Sequence, residues 1–281
     1  MKNGMHLTPI PRRLTWFDRG WKRFRKWKHY PYVTYEAIAF VGRKQRAWRF
    51  MNYGFEALEG RGDLKFEPGD EAERYSAQLY HFVGQGADLE GKDVLEIGSG
   101  RGGGASLLCR HFKTKSMTGM DLSPQQVKFC QQVFTVPGLS YVVGDAMNLP
   151  FPLDKFDVVL NVESAHLYPD PDLFIREVFR VLRPGGTFLY ADVLPTHLYT
   201  GVRERLEKAG FKFKEARDIS AEVLRGLDLD SPRRSKLVEA WTPFFLKSFG
   251  GMFAVVSGSY PHEKLRTGKS IFFRIIATKP A

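Results

Sequence analysis

Cysteine is scarce in this 281-residue sequence, with Cys109 and Cys130 the only two. Two thiols cannot form a disulfide framework, and such sparing use fits a reduced, cytoplasmic setting. No stretch approaches the roughly 20 apolar residues of a membrane-spanning helix, so an integral membrane protein is not expected. The opening MKNGMHLTPIPRR carries charge but no apolar core, so no secretory signal is expected either. Internal repeats and low-complexity tracts are missing. Among His81, His111, His197 and His262 no pair has the helical spacing of metal ligands, and no metal site is expected.

What remains is an ordinary globular composition, 43% hydrophobic and 26% charged, in a chain long enough to fold on its own core. The net charge of +11 is unevenly spread. Residues 1–60 hold 13 Lys or Arg against four acids, whereas the rest holds 29 against 27. The basic character therefore belongs to an N-terminal segment. Within it, residues 14–28 read as an amphipathic helix, with Leu14, Phe17, Trp21 and Phe24 on one side and Arg19, Lys22, Arg23 and Lys26 on the other.

From about residue 70 short β runs alternate with helical periods. A helix over 70–83 precedes strands at 92–98, 116–122, 140–145, 156–162 and 187–193. Helices lie between most of them, and Pro184, Gly185 and Gly186 stop the last. A helix over 201–209, a strand over 211–219, a mixed helical stretch over 220–250 and a strand over 270–279 complete the pattern. This predicts a parallel α/β sheet with right-handed crossovers. Three divisions are expected: a basic aromatic segment (1–69), a core (70–195), and a C-terminal completion (196–281) with an insert at about 220–260.

In an open parallel sheet, ligands bind at the carboxyl ends of the strands. Three of these ends carry acids. Glu96 precedes the glycines of VLEIGSGRGGG and is suited to face an amine. Asp121 can accept from both hydroxyls of a ribose. Asp145 can accept from the exocyclic amine of adenine, with Ala146 and Met147 beside it. Gly98 and Gly100 let the backbone approach a ligand closely. An NAD site would also use a glycine loop and a following acid, but amine, ribose and adenine acceptors together outline S-adenosylmethionine. Arg101 has two readings, one facing the cofactor carboxylate and one a solvated surface arginine.

VLEIGSGRGG, GMDLSP, GDAMNLPF, FDVVLNVES and REVFRVLRPGG together resemble the motifs of class I S-adenosylmethionine-dependent methyltransferases, over roughly residues 70–195. The aromatic-basic N-terminus, LYH (79–81), GGGAS (102–106), NVESAHLYP (161–169), YAD (190–192) and AEVLRG (221–226) extend the likeness. They are similar to the phthiotriolone/phenolphthiotriolone dimycocerosate methyltransferase type. The resemblance implies a Rossmann-like, seven-stranded, mostly parallel sheet with helices on both faces, an N-terminal helical lid, and a helical insert between the last two strands. It implies O-methylation of a lipid or polyketide-like alcohol. The candidate cofactor contacts are Glu96, Gly98, Ser99, Gly100, Asp121, Leu122, Asp145, Ala146 and Asn161.

Base-modifying amine methyltransferases resemble one another in an Asn/Asp-Pro-Pro-aromatic motif after the fourth strand. Here Asn161-Val162-Glu163-Ser164 stands instead, which argues against that chemistry. An alcohol is a poor nucleophile until its proton is removed, and the neutral imidazole of His166 suits that task near neutral pH. Asp192, on the fifth strand, is placed to orient it. Glu163 is a third catalytic candidate, through substrate contact or by holding the loop. It or His166 would also serve the alternative, C-methylation of a sterol, quinone or enolisable polyketide. Tyr75, Tyr80 and Trp21 are substrate-side candidates. Residues 12–28 have three readings: a substrate lid, a contact with a membrane surface, or a nucleic-acid arm that would make this a nucleic-acid-associated protein. The apolar stripe favours the first two. The sequence specifies no oligomeric state.

Overall fold

A computed structural model describes residues 36, 39–40, 42–59, 64–241 and 255–281; the helix expected over 14–28 lies outside them. The strands are β1 (Asp93–Ile97), β2 (Ser116–Asp121), β3 (Leu139–Val143), β4 (Phe156–Val162), β5 (Leu182–Pro195), β6 (Lys212–Asp218) and β7 (Ser270–Thr278). They form one sheet in the order β3-β2-β1-β4-β5-β7-β6. All neighbouring pairs from β3 to β5 are parallel, and β7 runs antiparallel to both β5 and β6. This is the expected Rossmann-like, mostly parallel sheet. The strand order reverses between β1 and β4, the switch point that opens a crevice at the carboxyl ends.

Helices α1 (Arg74–Gly84), α2 (Gly103–His111), α3 (Pro124–Val133), α4 (Pro171–Val181), α5 (Val202–Lys208), α6 (Ser220–Trp241) and α7 (Tyr260–Arg266) connect the strands. Local chemistry sets several ends. Ser123 accepts from the Gln126 N–H and Asp170 from the Leu173 N–H, each followed by a proline at the first helical position. Alternation along the strands divides the core between two faces. Val94, Leu160, Leu189 and Phe272 pack in one cluster, and their neighbours Leu95, Val159, Phe188 and Phe273 in the other. Both faces are apolar, as a covered parallel sheet requires.

Between β6 and β7 lie α6 and α7; residues 242–254 of the helical stretch expected over 220–250 and its continuation lie outside the described residues. No described helix is long and apolar enough to cross a membrane.

Residues 42–56 are a strap without regular strands, sewn to the sheet domain by hydrogen bonds. Arg49 N–H donates to Glu73 at 2.7 Å, Phe55 N–H to the Tyr75 carbonyl at 2.9 Å, and Glu56 N–H to the Glu222 carbonyl at 3.0 Å. Arg101 is the main clamp, and both sequence readings of it are corrected. It is 1% exposed and donates to the carbonyls of Trp48 (2.5 Å), Gln45 (2.8 Å) and Gly42 (3.1 Å). Its guanidinium stacks on Phe129, 3.7 Å from the ring centre. The glycines around it turn its side chain under the loop, away from solvent and cofactor alike. Burial lowers its pKa to about 10, so it stays charged at neutral pH. Arg101→Ala is expected to cost about 3 kcal/mol, because three carbonyls lose a buried charged donor. Urea denaturation checks this; an unchanged midpoint would show that the clamp contributes nothing.

Candidate active site

At the carboxyl ends of β1 to β4 lies a cavity of about 330 Å³. The loop after β1 forms its floor. Gly98 and Ser99 both donate their N–H to the Met120 carbonyl, at 2.8 and 2.9 Å, bending the chain sharply off the strand. Gly98 has φ +76°, and a Cβ there would fall 2.3 Å from Ser164 Oγ, so only glycine fits. Asp121 ends β2 and binds the same loop: Oδ2 accepts from Gly100 N–H at 2.8 Å and Oδ1 from Ser123 N–H at 2.9 Å. Each oxygen keeps a second lone pair for another donor. Beyond β3, Asp145 is exposed and lines the cavity beside Ala146 and Met147, while Leu122 lines the opposite edge.

The third acid lies deeper than expected. Glu96 is fully buried and is not on the cavity wall. Tyr80 lines the cavity in its place and donates its hydroxyl to Glu96 Oε1 at 2.6 Å. Burial pushes the Glu96 carboxyl up to about 7, opposed by the Tyr80 hydrogen bond. Glu96 Oε2, Ser99 Oγ and Gln126 Oε1 are buried without a partner among the described residues. Ser99 and Gln126 belong to the cavity wall, so the site offers unmet acceptors to a ligand rich in amine and hydroxyl donors. S-adenosylmethionine is such a ligand.

The turn after β4 forms the other end. Glu163 lines the cavity with φ +51°, a strained conformation for a non-glycine residue. Its Oε1 accepts from the strap's Tyr53 N–H at 2.7 Å. His166 follows in a 3-10 turn (Ala165–Leu167). Its Nδ1 lies 2.7 Å from Asp192 Oδ1, and its own N–H donates to Asp192 Oδ2 at 2.9 Å. Val193 N–H also donates to Oδ1, at 2.8 Å. An acceptor carboxylate so held makes Nδ1 the protonated nitrogen and leaves the Nε2 lone pair free. Burial works against the imidazolium, but the Asp192 carboxylate opposes it first and an ionised Glu163 adds to this, and the His166 pKa lies above its ordinary 6.5.

The family model described as a methyltransferase domain matches residues 95–190. A phthiotriol/phenolphthiotriol dimycocerosates methyltransferase of Mycobacterium ulcerans is 44% identical over 212 residues, 75% of this chain and 82% of its own. The chain belongs to the S-adenosylmethionine-dependent methyltransferase family. A fatty-acid O-methyltransferase of Mycolicibacterium smegmatis is 41% identical to this methyltransferase over 232 residues, covering 83% of this chain and 84% of that one. The solved structure of the cyclase SpnF shares the fold at a TM-score of 0.69 and 21% identity, covering 89% of this chain and 94% of that one.

In this methyltransferase the structure brings Gly98, Ser99, Gly100, Asp121, Leu122, Asp145, Ala146, Tyr80 and Glu163 to one cavity. Asn161, expected beside the cofactor, stands behind the wall. It is fully buried, and its amide is committed to Ile97, Ser164 and Tyr168. Tyr75 also stays off the wall, where its carbonyl holds Phe55. Trp21 lies outside the described residues. Sequence reasoning missed Phe50 and Met51, which reach the cavity from an aperiodic strap, and Ser164 and Tyr168, whose i, i+4 spacing was the available signal. Asp121→Ala should weaken S-adenosylmethionine binding by about 100-fold, from the loss of charge-assisted hydrogen bonds. Calorimetric titration measures it, and unchanged affinity would place the ribose elsewhere.

Proposed function

We propose that this methyltransferase transfers a methyl group to a hydroxyl of a lipophilic, lipid- or polyketide-like acceptor. The observation that carries the reading is the 2.7 Å contact of His166 with buried Asp192, at the end of the sheet where the cofactor cavity meets the turn after β4. S-adenosylmethionine supplies a sulfonium methyl there. Gly98, Gly100, Asp121 and Asp145 would hold the cofactor, with Tyr80, hydrogen-bonded to Glu96, on the same wall. His166 Nε2 takes the proton of the acceptor hydroxyl as its oxygen attacks. Asp192 fixes the ring and stabilises the imidazolium that results. Holding two reactants in line contributes much of the remaining rate.

The names of the relatives support the acceptor class, since one acts on phthiotriol dimycocerosates and another on fatty-acid oxygen. The basic aromatic segment over 12–28 suits a lid or a membrane-facing entrance for such an acceptor.

His166→Ala should lower turnover by about 10²–10⁴-fold while leaving cofactor affinity nearly intact. Steady-state kinetics beside calorimetry reads both, and wild-type turnover would remove His166 from the base role. The neutral imidazole is the active form, so the acid limb of the pH profile lies above 6.5 in the wild type. Asp192→Asn removes the charge that raises this pKa while burial still lowers it, so the limb should move to lower pH. A limb that stays in place would show that Asp192 does not tune the base. Isotopic mapping of the transferred methyl decides between oxygen and carbon.

A further inference from the structure

Glu163 is the side chain that the base assignment leaves without a task. It lies three residues before His166 on the same turn and lines the cavity, which His166 and Asp192 do not. Its backbone is held in the left-handed region by the Glu163 N–H bond to the Ala191 carbonyl at 2.9 Å, so the side chain is aimed by β5. The Tyr53 N–H fixes one carboxyl oxygen, and no other hydrogen bond to the Glu163 side chain is made among the described residues. One oxygen of this half-buried side chain is thus anchored and the other is left for a ligand.

We propose that Glu163 donates a hydrogen bond to a second oxygen of the acceptor, beside the hydroxyl that His166 activates. The preferred acceptors would then be long-chain diols and hydroxy ketones rather than simple alcohols. This rests on the hydroxyl-methylation reading above.

A carboxyl group donates only while it keeps its proton, and the surroundings favour that. Burial pushes Glu163 up to about 8. Asp192 of β5 adds to the rise; the Tyr53 N–H, His166 and Arg234 of α6 oppose it. Tyr80 of α1 also feels the Glu163 charge. At neutral pH the carboxyl is therefore mostly protonated, and His166 can act as the base beside it. Two neighbouring groups with different tasks, one giving a hydrogen bond and one taking a proton, would grip two oxygens on neighbouring carbons. A plain alcohol would leave the Glu163 hydroxyl without that partner, and a site built to hydrogen-bond an oxygen discriminates against a ligand that lacks it.

The test compares a long-chain diol with a mono-alcohol of the same length, in the wild type, Glu163→Gln and Glu163→Ala. Glutamine keeps a donor without a titrating proton; alanine removes it. The wild type should prefer the diol, with an alkaline limb near pH 8 as Glu163 ionises. Glu163→Gln should keep the preference to within about threefold, at reduced turnover and without that limb, whereas Glu163→Ala should lower the preference by about tenfold. Binding of the diol to protein loaded with S-adenosylhomocysteine, followed by calorimetry, should weaken in Glu163→Ala alone.

An equal preference in the wild type and Glu163→Ala would overturn the proposal. So would a Glu163→Gln protein that binds cofactor and both acceptors but methylates neither, since Glu163 would then be the base. Full turnover in His166→Ala, or methylation at carbon, would instead defeat the hydroxyl reading and the proposal with it.

Discussion

The amide of Asn161 joins the two halves of the site. Its Nδ2 donates to the Ile97 carbonyl at 3.0 Å, to Ser164 Oγ at 2.7 Å and to the Tyr168 hydroxyl at 3.2 Å. Its Oδ1 accepts from Ala165 N–H at 3.2 Å. Ile97 is the last residue of β1, where the glycine loop begins, and Ser164 to Tyr168 form the turn that presents His166. One fully buried side chain therefore fixes the distance between the floor of the cofactor cavity and the base. Such a group is costly to leave unpaired, so the turn has little freedom to drift from the loop. The left-handed backbone at Glu163 sits between this network and its own N–H bond to the Ala191 carbonyl.

Around this joint, burial raises the pKa of several acids. Burial pushes Glu96 to about 7 and Glu163 to about 8. It does the same to Glu73, also raised to about 7, whose carboxylate binds the strap at Arg49 N–H. The strap matters electrostatically as well as sterically, since its Tyr53 N–H touches Glu163 and its Phe50 and Met51 close the cavity. Arg101 and Arg234 anchor that strap from opposite ends, Arg234 by donating to the Asn52 and Tyr53 carbonyls at 2.8 and 3.0 Å. Arg49 lies on the cavity wall itself and pairs with Asp70 at 3.1 Å.

Much of the fold was legible because its signals are local. Short apolar runs bounded by glycine, and helical periods between them, marked most elements to within a few residues. Asp121, Asp145 and the glycines were legible because strand ends in a parallel sheet converge on one edge. The pairing of His166 with Asp192 was legible for the same reason, as His166 follows β4 and Asp192 lies on β5, its neighbour in the sheet. Arg101, Asn161 and Glu96 do not line the cavity, although the sequence suggested a ligand-facing place for each. A residue type and a strand position do not say whether a side chain points into a cavity or behind it.

The sequence by itself determined the order of strands and helices, the apolar faces that bury the sheet, and the chemical types gathered at its carboxyl edge. These follow from periodicity, turn residues and capping, which act over a few residues. Tertiary structure alone decided that Tyr80 screens Glu96 from the cavity and that Arg101 clamps the strap. It also decided that Glu163, three residues from the histidine, faces the cofactor side while His166 faces Asp192. Each depends on contacts between segments tens of residues apart, and on burial, which sets the charge of an acid and is a property of the packed molecule rather than of any stretch of chain.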